Sequence, residues 1–363
     1  MKIMICGLFA EHTGYGRATR DLLEVFDKTG HEITIYNLNY ASALLPEYKN
    51  RIETQLTHDG YDIGIVVKPP DVGENLTAQN PLNKCEKLIY YTMFETTRWP
   101  NEWEAILTKY DEIWTPTEYC KNGAGHLGIN TKVLPLPVRA LERAEKTKGV
   151  PFIFYSEISR VSDRKNLIAL LRAYYASFTN AHNVILRVKI STHERDIKTF
   201  LGTVARAKRE FAYRGDSLPK IEYIHLFLTD DEMDGLVIAS DCYVAASKGE
   251  GFGLTLSQAY ISGIPCVWPI AKEPWFWGMD RGPENKHKYE ALRMEDVFTD
   301  EYYDVGMRLD TSRMTWAAPD PAEIGIDMRG IYEKSTNECY IPKDAGKVHP
   351  DTILKNIQDL LNG

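Results

Sequence analysis

The chain has 363 residues, about two domains at the usual ~100–200 residues each, and is long enough to bury sizeable cores without disulfide or metal staples. Hydrophobic residues make up 44% and charged residues 26%, which excludes the disordered, collagenous and low-complexity classes. With 43 Lys and Arg against 51 Asp and Glu the net charge is −8, so no general attraction to nucleic acid or anionic membrane is expected, a local basic patch aside.

The opening MKIMICGLF reads as a strand rather than a charged segment followed by a long apolar one, and no run reaches the ~18 apolar residues of a membrane span. Strands are predicted over 3–9, 32–36, 63–67, 87–93, 112–115 and 132–136, with helices over 15–28 and 103–110. Between Val138 and Val150 the run RALERAEKTKG has charge but no core-facing pattern, as a linker would. The alternation then resumes, with strands over 152–156, 184–190, 221–227, 241–245 and 265–268 and helices over 167–178, 198–213, 230–239 and 254–261. From 271 to 315 the period is lost in a stretch rich in Trp, Tyr, Met and charges. Helices over 321–332 and 351–361 follow, with Asp351 placed to cap the last one.

Strands alternating with helices across short connections imply two layered α/β domains, each a mostly parallel sheet covered on both faces. Such sheets bind ligands at the carboxyl ends of their strands. The expected division is an N-terminal domain over 1–140, a linker over 141–150, a C-terminal domain over 151–335 and a tail over 336–363 free to pack back on the first domain. The six cysteines lie far apart, with no CxxC pair and no zinc-ligand spacing. Cys6, Cys242 and Cys266 sit in apolar runs and read as buried thiols of a reduced compartment. A soluble cytoplasmic protein is expected, with peripheral attachment to a membrane left open.

The most specific string is SKGEGFGLTLSQAYISGIP, from Ser247 to Pro265, which sets a carboxylate, a glycine-rich turn and a helix start in succession after a strand. Gly251 and Gly253 let backbone approach a ligand, and the N–H groups of Leu254 and Thr255 open a helix whose partial positive charge suits a diphosphate. A bare Gly-x-Gly turn would be a tight loop and no more. Upstream, Arg160, Arg164 and Lys165 lie in SRVSDRKN just before the helix over 167–178; read alone, Arg164 and Lys165 make an exposed basic turn.

Together these segments resemble the nucleotide-sugar motifs of retaining glycosyltransferases with the GT-B fold, family 4 in particular. Further pieces match in order: Thr13-Gly14-Tyr15-Gly16-Arg17 resembles the family's glycine loop, and Tyr91–Thr96 and Asp111–Thr117 resemble parts of its acceptor domain. The resemblance implies two Rossmann-like, doubly wound parallel-sheet domains facing across a cleft. It also implies retaining, metal-independent transfer of a sugar, a hexose by preference, from a UDP- or GDP-linked donor to an acceptor hydroxyl. The donor is a co-substrate, and no cofactor is implied. No Asp-x-Asp metal clamp is evident in the donor region, so cationic side chains must meet the departing diphosphate.

By the same resemblance Glu250, Lys165 and Arg160 carry the chemistry, and Gly16, Gly251, Phe252, Gly253, Leu254, Thr255 and Gln258 bind the donor. The family's carboxylate at the last of these positions accepts hydrogen bonds from the ribose hydroxyls. Here Gln258 offers one carbonyl and an amide, at a cost of about 1–2 kcal/mol in donor affinity, unless it is merely a solvent-facing helix residue. Glu95 and Thr96 are candidate contacts to sugar or acceptor, Glu95 reading equally well as a capping residue. His12 is either a ligand contact or a solvated loop residue. Trp275-Phe276-Trp277 with Lys286-His287-Lys288 reads as a stacking surface for a sugar or a single-stranded nucleic acid, or as a core plug under a loop. The acceptor stays open among a glycan, a lipid, a small molecule, a protein or a modified nucleic acid. A silent nucleotide-sugar or glycan-binding protein is the alternative that Gln258 favours. A nicotinamide oxidoreductase fits poorly, because the glycine loop lacks the full GxGxxG pattern.

Overall fold

The computed structural model describes residues 1–38, 60–71, 81–143, 149–158, 160–269, 291–293, 314–334 and 345–362. Two parallel sheets form the frame. The first holds β1 (Lys2–Gly7), β2 (Glu32–Asn37), β3 (Tyr61–Val67), β4 (Cys85–Tyr91), β5 (Glu112–Thr115) and β6 (Thr131–Val133) in the order β2-β1-β3-β4-β5-β6. The second holds β7 (Phe152–Ile158), β8 (Val184–Ile190), β9 (Lys220–Ile224), β10 (Cys242–Val244) and β11 (Cys266–Val267) in the order β11-β10-β7-β8-β9. Every neighbouring pair in both sheets is parallel. A short antiparallel pair, β12 (Ala291–Arg293) with β13 (Thr315–Ala317), stands apart.

The helices are α1 (Gly14–Phe26), α2 (Glu104–Leu107), α3 (Glu118–Ala124), α4 (Leu167–Ser177), α5 (Glu194–Glu210), α6 (Asp230–Ile238), α7 (Leu254–Ile261), α8 (Pro321–Lys334) and α9 (Pro350–Asn362). Because helices cover both faces of the first sheet, β1 needs an unbroken apolar run, and Ile3, Met4, Ile5 and Cys6 are all fully buried. In the second sheet alternate side chains divide. Phe154, Ile158, Leu186, Val188 and Ile190 enter the core with α4, while the register pairs Tyr155 with Arg187 and Glu157 with Lys189 across the other face. Cys242 and Cys266 are buried as their apolar runs predict. Helix α9 sets Ile353 and Ile357 into one core with Leu22, Leu23 and Phe26 of α1, and the Val138 N–H donates to the Val348 carbonyl at 2.9 Å.

Three local expectations are corrected. The predicted helix over 103–110 is a tight turn over Asn101–Trp103 followed by the four-residue α2, because Trp103 is needed in an edge-to-face cluster with Phe94 and Trp99. Helix α3, absent from the sequence reading, forms because Thr117 accepts a hydrogen bond from the Cys120 N–H. Asp351 is not a cap: its helix begins one residue earlier, so it sits in the first turn. The Trp275-Phe276-Trp277 and Lys286-His287-Lys288 stretch lies outside the described residues. Among the described residues no helix is long and apolar enough to cross a membrane.

Each sheet reverses its winding once. In the first, the chain steps from β1 to β2 on one side and to β3 on the other; in the second, β7 has β8 on one side and β10 on the other. At such a point the loops leaving adjacent strands diverge and leave a crevice. The Leu8–Thr13 loop lies at the first reversal. The loops after β7 and β10, which hold Arg164–Lys165 and Gly249–Gly253, lie at the second.

Candidate active site

The cationic loop after β7 is held by an unusual backbone. Asn166 is the one non-glycine residue with positive φ (52°) among the described residues, and its side chain donates to the Ala246 carbonyl at 3.2 Å. An asparagine tolerates this left-handed conformation better than most residues. Two further ties lock the loop onto the glycine loop: the Lys248 N–H donates to the Arg164 carbonyl at 2.8 Å, and the Lys248 Nζ meets Asp163 at 2.5 Å. The result aims two cations at one carboxylate. Lys165 Nζ lies 2.6 Å from Glu250 Oε1, and Arg164 Nη1 lies 2.9 Å from Glu250 Oε2 and 3.0 Å from the Gly249 carbonyl. Burial alone would raise the Glu250 pKa. The charges of Lys165 and Arg164, with hydrogen bonds from Lys165 and Ser247, outweigh it and hold the carboxyl at about 2.

Helix α7 starts beside this cluster. Gly253 precedes it in a left-handed turn (φ 73°), and no side chain caps it, so its first N–H groups face the crevice with the dipole's positive end. Thr255, in the first turn, donates its hydroxyl to Glu157, and Gln258 is three residues along the same helix. Gln258 is only 5% exposed, which overturns the solvent-facing reading. Phe252 is buried beneath the glycine loop, and Arg160 is half-buried at the start of the cationic loop, its carbonyl accepting from the Ser162 N–H at 3.0 Å.

The first domain closes over the same region. Gly16 lies in the first turn of α1, where its N–H donates to the Thr13 hydroxyl at 3.1 Å. A Cβ there would stand 2.0 Å from the Glu11 carbonyl oxygen, so only glycine fits. The Tyr15 hydroxyl accepts from the Met93 N–H at 3.1 Å, tying α1 to the end of β4. Arg20, which is 4% exposed, reaches across to Asp230 with two hydrogen bonds of 2.9 Å, and Arg17 reaches Asp234 at 2.6 Å. The Cys120 thiol donates to the Gly251 carbonyl at 3.2 Å, and Arg164 Nη2 lies 3.6 Å from Glu95. A cavity of about 660 Å³ runs between the two halves, lined among others by His12, Arg17, Asp21, Leu254, Thr255 and Gln258.

Of the predicted residues, Leu254, Thr255 and Gln258 line this cavity from the second domain and His12 from the first; Glu250 and Lys165 pair with each other at the glycine loop, Glu95 faces them through Arg164, and Gly16 sits in the first turn of α1. Thr96 is buried, with its hydroxyl spent on the Arg98 carbonyl at 2.6 Å. The exposed basic turn is a further correction: Arg164 is 5% exposed. The sequence places Arg17 and Arg164 within their motifs without giving either a role in the site, and does not mark Arg20 or Glu157 at all. The spacing of 17 and 20, set against 230 and 234, is a helical signal that could have flagged Arg17 and Arg20. Among the described residues no group of three or more His, Cys, Asp or Glu could hold a metal ion.

Two doubly wound parallel sheets with facing reversal points and a cleft between them define the GT-B fold, the architecture of a large class of glycosyltransferases. Particular solved structures share it. The UDP-forming α,α-trehalose-phosphate synthase from Burkholderia xenovorans in complex with glucose-6-phosphate is 11% identical, with 100% of both chains covered and a TM-score of 0.59. The lipopolysaccharide outer core galactosyltransferase WaaB is 14% identical, with 99% of each chain covered and a TM-score of 0.57. The pneumococcal O-GlcNAc transferase GtfA in complex with UDP and GlcNAc is 14% identical, with a TM-score of 0.55 over 83% of this chain. The chain spans about 56% of the length of GtfA. No protein-family model matches the sequence, and no curated protein matches it.

Proposed function

We propose that this protein is a retaining, metal-independent glycosyltransferase of the family 4 type, moving a hexosyl group from a nucleoside-diphosphate sugar to an acceptor hydroxyl. One observation carries the reading: Lys165 and Arg164 converge on Glu250 at the reversal point of the second sheet, beside the uncapped start of α7. The donor's diphosphate lies against that helix start and Lys165, with Arg160 nearby, while Glu250 and the glycine loop take the sugar. Negative charge builds on the β-phosphate as the glycosidic bond breaks. A cation about 4 Å away, at an effective dielectric near 20, is worth up to about 4 kcal/mol before desolvation. Lys165 exchanges part of its contact with Glu250 for that phosphate. Glu250, anionic throughout the physiological range, accepts from sugar hydroxyls.

The acceptor hydroxyl attacks on the face that the diphosphate leaves and passes its proton to a phosphate oxygen, so no protein nucleophile is required. Gly16 lets α1 approach the diphosphate from the opposite domain, and the closed cleft excludes water. UDP-linked sugars are the first donors to try, since UDP appears with two of the similar folds, and GDP-linked sugars the second. The acceptor is a glycan, lipid, small molecule, protein or modified nucleic acid.

A second reading, a silent nucleotide-sugar or glycan-binding protein, is favoured by Gln258, whose amide replaces a carboxylate on the buried face of α7. Purified protein with a panel of labelled UDP- and GDP-sugars separates the two. A transferase releases nucleoside diphosphate, at least ~100-fold more slowly after Lys165→Ala, whereas a binding protein retains intact label. Absence of both release and retention across the panel refutes both readings.

A further inference from the structure

Within the second domain Glu250 is already held by Lys165 at 2.6 Å, and the cationic loop is already fixed through Lys248 and Asn166. The buried Arg164 side chain nevertheless has a contact that belongs to the other domain. Its Nη1 meets Glu250 at 2.9 Å and its Nη2 faces Glu95 at 3.6 Å, so one guanidinium spans two carboxylates from two domains. A planar fork with separate nitrogens can do this, and a lysine point charge cannot. The backbone around it is cut to fit: a Cβ at Gly249 would lie 2.0 Å from the Glu95 carbonyl oxygen, and one at Gly251 would lie 2.6 Å from the Met93 side chain. The Thr97 N–H donates to the Thr315 carbonyl at 3.3 Å, and the Ala317 N–H donates to the Lys248 carbonyl at 2.8 Å, which continues the seam. Two carboxylates and two cations balance only while the domains meet.

We propose that Arg164 is a cross-domain positioning residue that fastens Glu95 of the first domain to Glu250 of the second, so that closing the cleft and orienting the sugar-facing carboxylate are one event. The proposal rests on the glycosyltransferase reading for its purpose, but not for its geometry. A role confined to the second domain would leave Glu95 irrelevant to the glycine loop.

The test is amide hydrogen exchange of the ligand-free protein over residues 93–97 and 247–253 in Glu95→Gln, Arg164→Gln, Arg164→Lys and the double variant Glu95→Gln/Arg164→Gln. Glu95→Gln is expected to speed exchange over 247–253 by about tenfold, through the loss of one largely buried ion pair, although the substituted residue is in the other domain. Arg164→Lys should match Glu95→Gln, and the double variant should be no faster than the faster single one. Wild-type exchange over 247–253 in Glu95→Gln overturns the proposal, and that variant decides the matter alone if Arg164→Gln does not fold. With a donor that turns over, kcat should fall at least ~10-fold while the donor KM moves less than ~3-fold; a change confined to KM also overturns it. Because exchange is read without donor, accelerated loops in a protein that consumes no nucleotide sugar would leave the fastening intact and sink only the transferase reading.

Discussion

Replacing Glu250 by Gln keeps its shape and removes its charge, and the consequence depends on pH. The carboxyl is held at about 2 against an ordinary 4.5, which corresponds to about 3 kcal/mol of folding stability. Since the folded value lies below the unfolded one, the contribution is complete above about pH 5 and is lost as the pH falls through the folded value. In the variant Arg164 and Lys165 face each other without their shared counter-charge, 5% exposed in the case of Arg164. Urea unfolding at pH 7, 5 and 3 should give a deficit of about 3 kcal/mol at the two higher values and about half of that at pH 3. An equal deficit at pH 3 and pH 7 would mean that the two cations do not set the state of Glu250, and the electrostatic account of the cluster would fall.

The seam between α1 and α6 should behave as a coupled pair. Arg20→Met is expected to cost about 2–4 kcal/mol, since the Phe9 and Glu11 carbonyls lose their donor as well as Asp230 losing its partner. A double-mutant cycle with Asp230→Asn should show about 1–2 kcal/mol of coupling, reduced by the 36% exposure of the Asp230 side chain, and strict additivity would contradict the bridge. Gly16→Ala must push a Cβ against the Glu11 carbonyl 2.0 Å away, so thermal unfolding should reveal a loss of about 1–3 kcal/mol; an unchanged Tm would show that the turn is slack. Gln258→Glu puts a carboxylate on the buried face of α7 and, on the proposed donor placement, should tighten UDP binding by about tenfold in titration calorimetry, whereas weaker binding would place the ribose elsewhere.

The sequence made the frame legible where chemistry was local. Helix α7 runs over Leu254–Ile261 as predicted, because glycines in left-handed turns bracket it: Gly253 (φ 73°) before and Gly263 (φ 71°) after. Parallel sheets follow from strands such as β1, whose apolar run leaves no solvent face. Strand ends were less legible. The strand predicted over 221–227 stops at Ile224, and Leu226 and Phe227 emerge 60% and 75% exposed, since β9 is the edge of its sheet and nothing beyond it demands pairing. Helix α3 has seven residues including a glycine, too short for a 3.6-residue pattern to register, and its existence turns on the Thr117 cap.

At the candidate site, Glu250 and Lys165 could be named from contiguous motifs, and the structure pairs them at 2.6 Å. The burial of Arg164 could not be read from them, because it is set by Glu250, 86 residues later in the chain, and by a carboxylate of the other domain. Arg20 and Asp230 are separated by 210 residues, so each looks like an ordinary surface charge until the two domains are brought together.

A crystal structure of the protein with UDP, or with GDP if UDP does not bind, addresses the central claim most directly. The account predicts both phosphates within about 3 Å of Lys165 and of the first N–H groups of α7, with the start of α1 facing them across the cleft. A nucleotide bound away from that cleft, with Lys165 still paired to Glu250 as in the free protein, would contradict it.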